Sequence, residues 1–202
     1  MITNLHWTIP PILQGIHVTL EPLQREHGEA LLAAASDGEL WNLWYTTVPG
    51  PETVRGYIAK AMADREAGTA MPFLVRNAAG DPVGSTRFFR MDPVIPSLEI
   101  GYTWYSARVQ RSALNTEAKR LLLGHAFDAM GCSVVELRTH VMNHRSRAAI
   151  ERLGAHFDGI LRRQMRMPDG HLRDTAVYSI LDTEWPVVRR GLDFKLEHGG
   201  RA

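Results

Sequence analysis

The stretch Gln110–Gly131, QRSALNTEAKRLLLGHAFDAMG, predicts a loop that leads into one strongly specified helix. Asn115 and Thr116 are favoured N-cap residues, and Glu117 places negative charge in the first turn. Gly131 is a favoured residue just past a helix C-terminus. The sequence therefore marks both ends of this helix.

Apolar side chains cover most of the circumference of the predicted helix. At about 100° per residue, its polar positions fall on one narrow strip made of Glu117, Arg120, Gly124 and Asp128. Such a helix is predicted to be buried on two sides. Its N-terminus presents unpaired backbone N–H groups and the positive end of the helix dipole, so the preceding loop is suited to an anion such as a phosphate. A purely structural cap would use the same residue types.

Composition favours one globular domain. The chain has 202 residues, enough to bury a core without disulfides, and Cys132 is its only cysteine. The 23 Lys and Arg residues nearly balance the 22 Asp and Glu residues, so no basic surface for nucleic acid is predicted. The nine His residues form no HxH or HExxH group, and we expect no metal site. The N-terminus lacks a basic segment, and no apolar run approaches the ~20 residues of a membrane helix. We therefore expect a cytoplasmic protein that binds neither nucleic acid nor membrane.

The order of elements predicts a mixed α/β domain. Residues 73–105 read as three strands with short connections, which is typical of an antiparallel meander. The predicted elements are a strand at 17–23, a helix at 25–35, a helix ending near 68, strands at 73–77, 83–90 and 98–105, the helix described above, a strand at 133–141, a helix at 145–153, strands at 157–167 and 175–181 around a turn at 168–170, and a short helix at 183–192.

Two local patterns give expectations about side-chain placement. In the strand at 98–105, simple alternation puts Leu98, Ile100, Tyr102 and Trp104 on one face, so Glu99 is expected to point away from the core. Trp41, Trp44 and Tyr45 either cap the core or wall a pocket. Because large aromatic side chains dominate protein cores, capping is the favoured interpretation.

This order of elements resembles that of the GNAT acyl-CoA N-acyltransferases. Within that superfamily, the segments EIGYTWY (99–105), NTEAKRLLLGHAF (115–127), NHRSRAAIERLGA (143–155) and DGILR (158–162) resemble the RimJ/RimL-type branch of ribosomal-protein alanine acetyltransferases. The resemblance covers residues 15 to 190. It implies one GNAT domain over residues 1–202, of the α/β (α+β) class. Its central sheet would be mixed and mostly antiparallel, flanked by helices, with strands splayed at the acyl-CoA site.

The resemblance also implies a site for acetyl-CoA, the cosubstrate. The family's pyrophosphate loop, [QR]-x-x-G-x-[GA], aligns with QRSALN, so that Ala113 and Asn115 replace the small residues of the pattern. Asn143 lies where the family commonly bonds the pantetheine arm or the acyl region. The residues implied to bind acetyl-CoA are Gln110, Arg111, Ser112, Ala113, Leu114, Asn115, Thr116 and Asn143.

Two catalytic residues are implied. Glu99 aligns with a strand glutamate that serves as general base, directly or through water; the alternatives are His140 as the base, or Glu99 as a charge on a solvated face. Many relatives carry a tyrosine that protonates the leaving thiolate, but Ile150 stands at that position. Ser146, three residues after Asn143, is the donor that the RimJ/RimL branch implies; the alternative is a local helix cap.

Two further residues are expected to be structural. His125 lies on the apolar arc of the predicted helix, which favours a hydrogen-bonded core histidine over a catalyst. Cys132 follows the end of that helix and has no matched histidine.

The predicted function is transfer of an acetyl group from acetyl-CoA to a primary amine by direct attack. The acceptor would be a protein N-terminal amine or a small amine such as an aminoglycoside, an amino acid or a polyamine. The competing hypothesis is a non-catalytic acyl-CoA-binding module. A Rossmann-type nucleotide domain is disfavoured because no GxGxxG opens an early helix. The resemblance also implies a homodimer.

Overall fold

The computed structural model describes residues 5–199, so residues 1–4 and 200–202 of the predicted domain lie outside the described part. The strands are β1 (Leu13–Gln14), β2 (Val18–Pro22), β3 (Ala70–Asn77), β4 (Pro82–Asp92), β5 (Ser97–Tyr105), β6 (Val134–His140), β7 (His156–Arg166) and β8 (Leu172–Leu181). The helices are α1 (Gly28–Ser36), α2 (Val54–Glu66), α3 (Ala113–Gly124), α4 (His144–Glu151) and α5 (Trp185–Glu197). Short 3-10 turns occupy Leu5–Trp7, Arg25–His27, Leu40–Asn42 and Ala107–Val109. No helix within the described range is long and apolar enough to cross a bilayer.

All eight strands form one sheet in the order β1-β2-β3-β4-β5-β6-β8-β7. Every neighbouring pair is antiparallel except β5 and β6, which are parallel. The predicted meander is β3, β4 and β5, and the predicted hairpin of β7 and β8 turns at Gly170, whose φ of 91° suits glycine. The mixed, mostly antiparallel sheet that the sequence predicts is therefore confirmed.

The sheet separates two apolar clusters, because successive strand side chains point to opposite faces. Phe73 and Val75 belong to the larger cluster, which includes α3, α4 and α5, whereas Leu74 between them packs with α1 and α2. The two clusters thus lie on opposite faces of β3 and its neighbours. Both faces of the meander are covered by helices.

Helix α3 begins one turn earlier than the sequence indicates. Ser112 is the N-cap: its Oγ accepts a hydrogen bond from the N–H of Leu114 (3.3 Å) and donates one to the carbonyl of Val109 (2.7 Å). The prediction of Asn115 and Thr116 as caps is wrong, because Ser112 follows a tight turn in extended backbone and satisfies the orphan N–H groups first. The predicted end is confirmed: the helix finishes in a π-type turn, His125–Ala129, and Gly131 follows with a φ of 73°.

The polar strip of α3 is used for packing. The Glu117 carboxylate is buried and accepts hydrogen bonds from the N–H groups of Ile16, His17 and Val18, at 2.9, 2.6 and 3.0 Å. Elsewhere on the strip, Arg120 Nε donates to Asp193 Oδ1 (2.6 Å), and Asp128 accepts from Trp185 Nε1 (2.9 Å). These two hydrogen bonds join α3 and the turn that follows it to α5. Helix α3 is therefore enclosed on more than one side, as predicted.

A bulge in β5 changes which of its side chains share a face. Tyr102 has a φ of 50°, and the β4–β5 register shifts between Ser85 and Arg87. Leu98 and Ile100 belong to the larger cluster, whereas Trp104 packs with α1 and α2. The expectation that all four alternate residues share one face is wrong, because the extra residue of a bulge reverses the alternation beyond it.

Candidate functional site

The sheet opens between β5 and β6. These strands pair only over Ser97–Glu99 and Val134–Glu136. Beyond that contact, β5 runs on to Tyr105 against β4, and β6 runs on to His140 against β8. The two inner edges thus present unpaired backbone groups to each other, and such edges can hydrogen-bond an extended ligand. We call this opening the β5–β6 gap.

The loop before α3 lies at the end of β5. Gln110 Nε2 donates to the carbonyl of Tyr105 (2.9 Å), which holds the loop against the strand end, and Arg111 adopts a left-handed backbone with a φ of 60°. Within residues 5–199, the N–H groups of Arg111, Ser112 and Ala113 donate no hydrogen bond. Free N–H groups at a helix N-terminus are suited to an anion.

The remaining residues that the sequence assigned to this loop, Leu114 to Thr116, differ in burial. Leu114 is buried in the core, so only its backbone is available, while Asn115 and Thr116 are half-buried in the first turn of α3. An open depression of about 310 Å³ borders the loop; it is lined by His17, Asn77, Ala78, Ala79, Val109, Ser112, Ala113 and Leu114. The loop is thus open to a ligand on that side.

Across the gap, Asn143 caps α4. Its Oδ1 accepts a hydrogen bond from the N–H of Ser146 (3.1 Å). The interpretation of Ser146 as the cap is wrong, because Asn143 takes that role, and the Ser146 hydroxyl makes no hydrogen bond within residues 5–199. Ser146 lies one turn before the buried Ile150, so both face the sheet. The structure therefore leaves a free, half-buried hydroxyl in the first turn of α4, the helix that follows β6.

Glu99 lies where β5 and β6 part. Its side chain is buried, with a residue exposure of 5%, so the alternative of a charge on a solvated face is wrong. Oε2 lies 3.5 Å from Arg138 Nε and 3.7 Å from Arg90 Nε, but accepts no hydrogen bond from the described residues. Burial raises the pKa of Glu99 to about 7, against the opposing charges of Arg138 and Arg90. A carboxyl of this pKa can take up a proton near neutral pH.

His140 has both ring nitrogens engaged. Its Nδ1 accepts from the N–H of Met142 (3.0 Å), and its Nε2 lies 3.4 Å from Nε2 of His171. The bond from Met142 requires an unprotonated Nδ1, so neutral His140 carries its proton on Nε2. Burial lowers its pKa, and Arg173 lowers it further. His140 is therefore poorly placed to accept a proton from an amine.

Sequence reasoning missed a group of side chains beside His140. Asp169 Oδ1 lies 2.6 Å from His171 Nδ1 in the β7–β8 turn. Trp44 is 54% exposed and lies edge-on to both histidine rings, with centroids 5.1 and 5.6 Å away. The capping interpretation is right for the half-buried Trp41 but wrong for Trp44, which forms a wall. A histidine directly after the predicted Asp-Gly turn was the one local signal.

Lys119 was also missed. It is 5% exposed on the sheet-facing side of α3, and its Nζ donates to Thr103 Oγ1 on β5 (3.0 Å). Burial lowers its pKa to about 7, and no carboxylate within residues 5–199 pairs with it. The structure thus places a second group that titrates near neutrality beside β5.

The other candidates are structural. His125 stacks on Phe88, with centroids 6.1 Å apart, and its Nε2 has no hydrogen-bond partner in the described part, so the expected hydrogen bond to that nitrogen is absent there. Cys132 is buried, and burial raises the pKa of its thiol to about 12. Within residues 5–199, no group of three or more His, Cys, Asp or Glu side chains is arranged to hold a metal ion.

Comparisons with known proteins identify the family of the chain. The family model described as "Acetyltransferase (GNAT) domain" matches residues 17–156. A Bacillus subtilis (strain 168) protein named "Putative ribosomal N-acetyltransferase YdaF" is 31% identical over 106 residues. That match covers 52% of this chain and 57% of the relative, so the chain spans little more than half the length of that protein.

Solved structures match over a larger share of the chain. A GCN5-related N-acetyltransferase from Brucella melitensis is 34% identical, with a TM-score of 0.83 over 93% of this chain and 86% of that one. Mycobacterium smegmatis RimJ, in complex with CoA-disulfide, shares the fold at 20% identity, with a TM-score of 0.78 over 92% and 94% of the two chains. Because the family model matches more than half of its length, this chain belongs to the GNAT acetyltransferase family.

Proposed function

We propose that the protein is an N-acetyltransferase that transfers an acetyl group from acetyl-CoA to a primary amine by direct attack. The observation that carries the proposal is the position of Glu99: a buried carboxylate with a free oxygen lies where β5 and β6 separate. The amine nitrogen bonds to the thioester carbon, the C–S bond breaks, and one proton leaves the nitrogen. Acetyl-CoA supplies the activated acetyl group, and the side chains below handle the protons.

The anion-accepting loop supports acetyl-CoA as the donor. The free N–H groups of Arg111, Ser112 and Ala113 would hold the pyrophosphate, with the positive end of α3 behind them. Gln110 fixes the loop, and Asn115 and Thr116 complete the first turn. The β5–β6 gap would take the pantetheine arm, whose amides can pair with the free strand edges. The RimJ structure named above, which shares the fold, is in complex with CoA-disulfide, which supports a CoA-type donor.

Glu99 is proposed as the general base. An amine must lose a proton to complete its attack, and a carboxylate with a pKa near 7 is ionised for a large fraction of molecules at neutral pH. Its free oxygen, Oε2, can accept the N–H of the acceptor or of a bridging water. His140 is not assigned this role, because Met142 already occupies its Nδ1.

Ser146 is proposed to donate a proton to the leaving sulfur and to regain one from water, while Glu99 releases the amine proton to solvent. Its hydroxyl is free because Asn143 caps α4, and Ile150 cannot donate in its place. Negative charge on sulfur develops mainly in the transition state, so a hydroxyl at this point stabilises that state more than the bound substrate. The Asn143 amide remains the proposed contact to the pantetheine arm.

The competing proposal is a binding module without catalysis. The position of Glu99 favours catalysis, because a buried carboxylate without a hydrogen-bond donor costs folding free energy that binding alone does not require. The two proposals differ in one measurable product, the free thiol of CoA.

The decisive experiment incubates the protein with acetyl-CoA and a panel of amines and N-terminal peptides. Thiol release is recorded, and acceptor products are identified by mass. We expect release that depends on an acceptor and a product heavier by one acetyl group. Binding of acetyl-CoA without acceptor-dependent release from any panel member would favour the binding module.

We also propose a homodimer, which rests on the resemblance alone. Sedimentation at micromolar concentration tests it directly. A sedimentation coefficient of the single chain would remove the proposal without affecting the chemistry above.

A further inference from the structure

Arg173 is a guanidinium without a bonded partner at the edge of the candidate site. In the described part of the chain its side chain makes no hydrogen bond and no ion pair, and its Nε is buried. Neighbouring arginines differ: Arg138 donates to Glu136 Oε2 at 2.6 and 3.0 Å, and Arg162 lies 3.8 Å from Asp174. A partly buried charge without an acceptor is costly unless a ligand completes it.

The strand register places Arg173 on the same face as the residues of the site. On β8, Thr175 lies opposite His140, and Val177 lies opposite Arg138. Directly opposed residues share a face, and so do alternate residues of a strand, so Arg173 faces the same side as both. Its charge reaches Glu99 and His140, since it lowers the pKa of each. Burial lowers the pKa of Arg173 itself, while Glu99 raises it.

Exposed apolar side chains border this part of the face. Met165 lies opposite Arg173 on β7, and Leu161 lies opposite Thr175; each is 43% exposed. Trp44 forms the wall on the other side, against His140 and His171. A free guanidinium therefore lies on the face of the sheet that carries the buried Glu99 carboxylate, next to exposed apolar side chains of β7.

We propose that Arg173 binds the α-carbonyl or carboxylate oxygen of the acceptor, so that the acceptor is an α-amino-acyl unit whose apolar side chain packs on Trp44, Leu161 and Met165. The inference rests on the proposed function, in which Glu99 takes the proton from the acceptor nitrogen. One carbon then joins the nitrogen at Glu99 to the carbonyl group at Arg173. A guanidinium donates several hydrogen bonds in fixed directions, which suits a carbonyl or carboxylate oxygen.

The test compares two acceptors, L-phenylalaninamide and 2-phenylethylamine, which share a ring and an amine but differ in the carbonyl group. Rates are measured for the native protein, R173Q, R173K and the matched control R162Q. Because the two amines differ in basicity, each acceptor is compared between proteins. Because Arg173 lowers the pKa of Glu99, the rates are compared well above the pH range in which Glu99 titrates. There we expect R173Q to lower kcat/KM for the amide about tenfold to a hundredfold, mainly through KM, and to leave 2-phenylethylamine unchanged. R173K should restore part of the loss, and R162Q should change neither acceptor.

Two further acceptors distinguish a free amino acid from a protein N-terminus as the natural α-amino-acyl acceptor. Free L-phenylalanine represents an amino acid, and a tripeptide amide that begins with phenylalanine represents a protein N-terminus. The acceptor with the higher kcat/KM identifies the natural class, and R173Q should lower kcat/KM for that acceptor. An equal effect of R173Q on both acceptors of the first comparison, or no effect, would overturn the proposal.

The inference and the proposed function can fail separately. If the native protein releases thiol with none of the acceptors, the proposed function fails. Calorimetric titration of L-phenylalaninamide in the presence of CoA then still tests Arg173, because binding needs no turnover. Equal affinity of the native protein and R173Q would overturn the inference. If R173Q does not fold, R173K provides the comparison, with an expected weaker loss for the amide alone.

Discussion

Oε2 of Glu99 lies 3.5 Å from Nε of Arg138, close enough for charge attraction, yet this oxygen accepts no hydrogen bond from the described residues. Arg138 is already bonded to Glu136, which explains why it does not turn fully toward Glu99. The result is a carboxylate that is held in place but not neutralised. Its unbonded oxygen is available for an N–H of the acceptor.

The first prediction concerns the dependence of rate on pH. Glu99 acts as a base only when ionised, so log(kcat/KM) should rise by about one per pH unit below a pKa of about 7 and then level off with respect to this group. Arg90 lowers that pKa, so R90Q should move the rising limb to higher pH. R162Q, which removes an exposed arginine paired with Asp174, should leave the limb in place. If the rising part of the pH profile were the same in R90Q and the native protein, a group other than Glu99 would be responsible for it.

The second prediction concerns stability. The folded-state pKa of Glu99 is raised above its ordinary value of 4.5, so the folded protein binds more protons than the unfolded chain between pH 4.5 and about 7. Stability from this group is therefore present at low pH and falls as pH rises through that window. E99Q should not show that fall. The Tm of E99Q minus the Tm of the native protein should therefore be larger at pH 8 than at pH 4.5. The same Tm difference at both pH values would contradict the raised pKa.

The third prediction separates Ser146 from Asn143. S146A removes a hydroxyl that makes no bond within the described residues, so the Tm should stay close to that of the native protein while turnover falls by about 10²-fold. N143A removes the cap of α4 and should cost about 1 kcal/mol of stability. Melting curves and initial rates on both variants make the comparison. Full activity in S146A would leave water as the proton source.

The fourth prediction concerns the attachment of α3 to the N-terminal strands. The Glu117 carboxylate accepts three backbone N–H groups, so E117Q should cost on the order of 2 kcal/mol. A Cβ added at Gly15 would clash with the carboxyl group of Glu117, so G15A should displace the same carboxylate. The double variant should lose less stability than the sum of the two single losses, because both substitutions disrupt the same contact. E52Q, at an exposed loop position, serves as the control and should be near neutral. Additive losses would show that the two residues act independently.

The sequence predicts those parts of the fold that depend on local chemistry. The Asp169–Gly170 turn, the end of the helical segment before Gly131 and the presence of the three meander strands each follow from a few neighbouring residues. The cap of α3 was misplaced because Ser112 and Asn115 are both favoured cap types, and only the preceding turn decides between them. Likewise, the bulge at Tyr102 leaves no mark in the residue pattern.

The candidate site was only partly accessible from sequence. Glu99 and Ser146 were identified through a family resemblance, but the burial of Glu99 and the free hydroxyl of Ser146 depend on tertiary packing. Trp44 is more than 120 residues from His171 and Arg173 along the chain, and its ring meets His171 only because the β7–β8 turn folds toward the segment after α1. No local spacing could have grouped Trp44 with these two residues.

The role of Glu99 is tested most directly by the rate of acetyl transfer by E99Q, measured together with its affinity for acetyl-CoA. Turnover should fall by ~10²–10⁴-fold, while the acetyl-CoA Kd should change little, because Glu99 handles a proton and does not bind the donor. E52Q, which changes a carboxylate at an exposed loop position, is the control and should retain the native rate. A near-native rate for E99Q with saturating acetyl-CoA and acceptor would contradict the assignment of Glu99 as the base.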